Sequence, residues 1–211
     1  MFRLFKKRET LAKFNFTYGP IFCHIEGLCK EPSDDLLILS YLMFVSRYFF
    51  ICDERQIAPM QAFLNDFSSG ELWFEEYSYF HEAVQVTVFK TFTEEEKSAV
   101  IKLFSGMSPL LLTQDINKIK KPSFKYSLEV FRTDNDVISG FRLSVGPDKI
   151  LLPLTVSLFF EYVVKHFRDE RSVERIMNAL KELMDYYEHH DCRSKGSLFI
   201  APSILDSELG R

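Results

Sequence analysis

The sequence contains few of the residues that interrupt a folded chain: glycine and proline number only 8 each among 211 residues. This scarcity excludes a collagen-like or low-complexity protein. Apolar residues make up 46% of the chain, which is too much for a wholly disordered one. A chain of this length buries roughly 70% of the surface that it exposes when unfolded, so we expect a soluble globular protein with a sizeable core.

The chain also lacks an excess of positive charge, since its formal net charge is −4. This slightly acidic balance provides no general attraction to nucleic acid or to an anionic membrane. The most basic internal stretch is 118–126, where aromatic residues alternate with Lys118, Lys120, Lys121 and Lys125. Such a stretch is typical of a single-strand binding surface, but lysines also protect sheet edges from aggregation. We favour the second interpretation and expect no nucleic-acid partner.

No apolar stretch follows the basic residues at the N-terminus, so the sequence does not have the pattern of a signal peptide. We therefore expect a cytoplasmic protein whose four cysteines, Cys23, Cys29, Cys52 and Cys192, are reduced thiols. Residues 1–8 combine four basic side chains with Phe2, Leu4 and Phe5, and an arm of this kind can touch a membrane surface. Peripheral membrane association is thus an alternative to the favoured interpretation, a frayed and solubilising terminus.

The only long apolar run is 36–52, and it is a poor membrane span. As a helix its 17 residues would measure about 25 Å, and Arg47 lies well inside it. Asp34 and Asp35 precede the run, as acids do at the start of a helix. We predict a buried core helix and no transmembrane segment.

Two stretches alternate between apolar and polar residues and predict strands. Phe14, Phe16 and Tyr18 precede a Gly19-Pro20 turn, and the alternation then resumes, which predicts a hairpin. A second alternation runs over 124–130, turns at 133–136 and continues over 137–145; with a further strand at 149–152 it predicts a three-stranded meander at about 124–152.

Helical periodicity is clearest near the C-terminus, within a block that runs from 153 to about 190. Apolar residues there recur at helical spacing, which predicts a long amphipathic helix: Val173, Ile176, Met177, Leu180, Leu183, Met184 and Tyr187. Core packing is favoured over a coiled coil because only two clean heptads exist. Helices are also predicted at 58–68 and after a capping box of Thr93 and Glu96. The fold class is therefore α+β, with helices packed on an antiparallel sheet.

Soft ligands occur near both ends of the chain and are candidates for a zinc site: Cys23, His24, Cys29, His189, His190 and Cys192. Their spacing matches no zinc motif, and histidines in a last helical turn are also favoured by the helix dipole. The sequence contains no Gly-rich phosphate loop, H-E-x-x-H or G-x-S-x-G motif. We expect no metal, no cofactor and no catalytic residue, although an enzyme that uses Cys or His chemistry remains the alternative.

We expect one globular domain at 1–192, followed by a C-terminal tail at 193–211. The tail is apolar where a terminus is usually polar, and this feature marks its candidate partner-binding residues: Leu198, Phe199, Ile200, Ile204 and Leu205. The tail docks either on its own domain, which its few charges favour, or on a partner, and homo-oligomerisation is left open. The sequence favours a non-catalytic protein–protein interaction protein, such as an adaptor, accessory, inhibitor or immunity-type protein.

Overall fold

A computed structural model of the chain describes residues 8–18, 23–28, 32–51, 57–58, 61, 64, 93–95, 98, 124–133, 136–143 and 148–189. These residues form an α+β fold in which helices pack on an antiparallel sheet, as predicted. The strands are β1 (Arg8–Tyr18), β2 (Cys23–Gly27), β3 (Phe124–Thr133) and β4 (Asp136–Leu143). The helices are α1 (Asp34–Ile51), α2 (Asp148–Lys165) and α3 (Arg171–His189).

The strands lie side by side in the order β2-β1-β3-β4, and each neighbouring pair is antiparallel. The hairpin predicted around Gly19-Pro20 is confirmed as β1 and β2, and the one predicted at 133–136 is confirmed as β3 and β4. The two hairpins join through β1 and β3, where Phe14 stands opposite Leu128. Two local hairpins therefore become one sheet through a pairing between strands far apart in the sequence.

The prediction of a third meander strand is wrong, because residues 149–152 belong to the first turns of α2. A short apolar run has the same appearance in a buried strand and in a buried helix, so its pattern does not separate the two. In a meander that third strand would pair with β4, whereas the observed strand order places β1 beside β3, on the side away from β4.

One face of the sheet is apolar and carries the core. Ala12, Phe14 and Phe16 of β1 are buried, as are Leu128 and Val130 of β3, whereas the residues that alternate with them are only half-buried. Helix α1 lies against this face, contacting β1, β3 and β4, and α2 contacts both α1 and β2. The sheet thus has one packed face and one more open face, as antiparallel sheets commonly do.

Helix α1 is the central element of the core. Every residue from 36 to 46 is buried, so the helix is covered on all sides, as its nearly unbroken apolar sequence requires. This confirms the predicted core helix as far as Ile51, where α1 ends. Among the described residues, no helix is both long enough and apolar enough to cross a membrane.

Aromatic rings make the contact between the sheet, α1 and α2. Phe159 of α2 lies at the centre, with its ring centroid 4.9 Å from that of Phe14 and 5.1 Å from that of Phe16. The rings of Phe44 and Tyr41 on α1 lie 5.6 and 5.9 Å from it. Most of these pairs meet edge to face or tilted, and each such pair contributes about 0.5–1.5 kcal/mol beyond its buried area.

Helix α3 packs on α1 along its apolar side. The ring of Tyr187 lies 4.9 Å from that of Phe49, and Ile176, Leu180 and Leu183 are fully buried. Because this side faces the protein's own core, the structure supports core packing over a coiled coil for these residues.

Isolated stretches of the remaining chain agree with two further helix predictions. Residues 57, 58, 61 and 64 are helical and Leu64 is buried, within or beside the predicted helix at 58–68. Residues 94, 95 and 98 are helical directly after Thr93, the predicted N-cap. Residues 71–83 have an ambiguous pattern that favours a helix, and residues 84–88 alternate as a strand does, but both segments lie outside the described residues.

Candidate functional site

The best-defined polar cluster lies where the start of α1 meets the start of α3, and we call it the Asp34 junction. Ser33 caps α1, because its Oγ accepts a hydrogen bond from the Leu36 amide at 3.1 Å. With Ser33 in that position, the side chain of Asp34 is available for groups outside its own helix.

The Asp34 carboxylate accepts hydrogen bonds from the turn between α2 and α3. The amide of Arg168 donates to its two oxygens at 3.0 and 3.2 Å, and the amide of Asp169 donates at 3.0 Å. The hydroxyl of Ser172, which is fully buried, donates to Oδ2 at 2.6 Å. Next to it, Asp35 forms an ion pair with Arg175 of α3. The first turn of α1 is thereby tied to α3 by two adjacent carboxylates.

These contacts determine the protonation state of Asp34. Partial burial alone would raise its pKa, but the hydrogen bonds from Ser172, Arg168 and Asp169, together with the charge of Arg175, outweigh burial. The net result is a pKa below the usual range for aspartate. Asp34 is therefore ionised at neutral pH, the state in which it accepts all of these bonds.

The hydrogen bonds and the ion pair of the Asp34 junction have a structural role, because they connect α1 to α3. A serine hydroxyl next to a carboxylate resembles part of a nucleophilic pair, but a nucleophile must reach its substrate. Ser172 has 0% exposure, and its proton is directed to Asp34. The arrangement thus holds three segments together, with the Ser172 hydroxyl closed to solvent.

A second region, which we call the Leu28 patch, comprises Leu28, Tyr162 of α2, which approaches Gly27 of β2, and His166, which directly follows α2. Leu28 is 51% exposed, and it is the one large apolar side chain that is exposed among the described residues. It directly follows β2, which is an edge strand of the sheet, and its amide donates to the Lys13 carbonyl at 2.7 Å.

The two rings of the Leu28 patch are held in a fixed arrangement. Tyr162 and His166 stack with their centroids 4.1 Å apart, and His166 Nδ1 lies 2.7 Å from the Tyr162 carbonyl oxygen. The Tyr162 hydroxyl lies so close to Gly27 that a Cβ on that residue would clash with it. Glycine is therefore required for this close approach between α2 and β2.

The hydroxyl of Tyr41 is a buried polar atom without a hydrogen-bond partner within the described part of the chain. Tyr41 is fully buried, and its ring contacts those of Phe159 and Phe160. Burial raises the pKa of Tyr41 far above its ordinary value, so the phenol stays neutral. The unpaired hydroxyl therefore costs stability in the core.

Among the residues that the structure describes, the predicted metal ligands form no cluster. Cys23 and His24 are neighbours in β2, and His189 ends α3 with Nδ1 2.8 Å from the Asp185 carbonyl oxygen. Cys29, His190 and Cys192 lie outside the described residues. Across the parts of the chain that are described, no three His, Cys, Asp or Glu side chains are grouped to hold a metal ion.

The other predicted sites fall mostly beyond the described ranges. These are the tail residues Leu198, Phe199, Ile200, Ile204 and Leu205, the N-terminal arm with Phe2, Leu4 and Phe5, and the lysines Lys118, Lys120 and Lys121. Lys125 lies in β3, opposite Thr17 of β1. Because β3 is an inner strand, protection of a sheet edge does not explain this lysine.

The sequence patterns predicted neither the partners of Asp34 nor the Leu28 patch. Asp34 was predicted only as a first-turn acid, and its partner Arg168 is 134 residues away. The one local signal was the pair Asp34-Asp35, which places two carboxylates where a single acid would suffice for the helix dipole. Leu28 carried no signal, because single leucines occur throughout the chain.

Comparison of the chain with protein-family models, curated proteins and solved structures found no match.

Proposed function

We propose that this is a cytoplasmic, non-catalytic protein that acts by binding another protein. The observation that carries the proposal is the Leu28 patch: an exposed leucine directly after an edge strand, whose last residue, Gly27, is approached by Tyr162 of the Tyr162–His166 stack. Apolar and aromatic side chains at a sheet edge are the chemistry with which an extended segment of a partner is recognised, through backbone pairing and side-chain contact.

The geometry of the patch supports binding over a purely structural role. Tyr162 is half-buried against Gly27 and Phe14, so its ring is held in place by the core. His166 is exposed and stacks on the outside of that ring. Rigid aromatic groups of this kind contribute binding energy at a small entropic cost, because little side-chain freedom is lost when a partner docks.

The second support comes from the tail. Leu198, Phe199, Ile200, Ile204 and Leu205 would each gain about 1.5–3 kcal/mol from full burial. A protein partner provides one way to bury them, and docking on the protein's own domain provides the other. In the proposed function the tail supplies a second contact segment.

The proposal is tested by affinity purification of the protein from the cells that produce it. The Kd is then measured with the purified binding partner, which we call the companion. Leu28→Asp should weaken binding at least tenfold, since a charge would be buried at the contact. The matched control is Asn178→Asp, which adds the same charge at an exposed position of α3. A further variant, Phe199→Asp, reports on the tail.

Both domain variants should keep the melting temperature of the parent protein, because Leu28 and Asn178 are exposed. Unchanged binding by Leu28→Asp would remove the patch as the contact. If Phe199→Asp alone weakens binding, the tail is the contact and the patch is not. If no companion is recovered in stoichiometric amount, the interaction function itself is refuted.

A further inference from the structure

We draw no further inference here: the strongest candidate, the surface patch formed by Leu28, Tyr162 and His166 beside the end of β2, already serves the proposed function, and nothing in the structure shows what covers it.

Discussion

Replacing Asp34 by alanine should destabilise the protein strongly for a residue that is only half-buried. The substitution removes the acceptor of the Arg168 and Asp169 amides and of the Ser172 hydroxyl. Water can replace the carboxylate at the two amides, which belong to exposed residues, so those losses are small. The Ser172 hydroxyl is fully buried, and leaving it without an acceptor costs about 1–3 kcal/mol. We expect a total loss of about 2–4 kcal/mol in the free energy of unfolding.

The assay is equilibrium unfolding in urea, monitored by circular dichroism, with a double-mutant cycle between Asp34 and Ser172. Because Ser172→Ala removes the orphaned hydroxyl, Asp34→Ala should cost at least about 1 kcal/mol less in that background. Glu174→Ala is the control, since it removes an exposed acid from the first turn of α3, the helix that carries Ser172. Its effect should stay within about 0.5 kcal/mol.

The same reasoning gives a pH dependence with a definite sign. The pKa of Asp34 is lower in the folded protein than the value of about 3.9 in an unfolded chain. Its contribution is therefore fully present above that unfolded value and is lost as the pH falls through the folded pKa. The stability difference between the parent protein and Asp34→Asn should therefore shrink as the pH falls below about 3.9. If Asp34→Ala lowers the free energy of unfolding by less than about 0.5 kcal/mol and shows no coupling to Ser172, the structural role of the Asp34 junction is refuted.

Three further predictions concern the core and the contact between α2 and β2. Phe159→Ala should cost about 3–5 kcal/mol in urea unfolding, because it empties the centre of the aromatic cluster. Gly27→Ala should lower the melting temperature, and Tyr162→Phe should restore most of that loss by removing the hydroxyl that clashes with the new Cβ; no rescue would contradict the close approach. Tyr41→Phe should leave stability unchanged or raise it, since the hydroxyl has no partner among the described residues, and a loss above about 1 kcal/mol would show that it has one.

Local patterns were enough to predict the strands and the central helix. Phe14 and Phe16 alternate with polar residues, and a strand with one buried face imposes that alternation on its sequence. Residues 36–46 contain no charge, and only a helix covered on all sides can accommodate such a stretch away from a membrane. In both cases the signal lies within one element, because the side-chain period of a strand or helix is a property of its own backbone.

The tertiary structure alone decided which elements meet. The pairing of β1 with β3, the bonds from Asp34 to Arg168 and Ser172, and the approach of Tyr162 to Gly27 all join segments separated by more than 100 residues. The error at 149–152 has the same origin, since a short apolar run takes its conformation from the surface that it packs against. Periodicity shows which face of an element is buried, but the neighbour that buries it is selected by packing and hydrogen bonding across the whole chain.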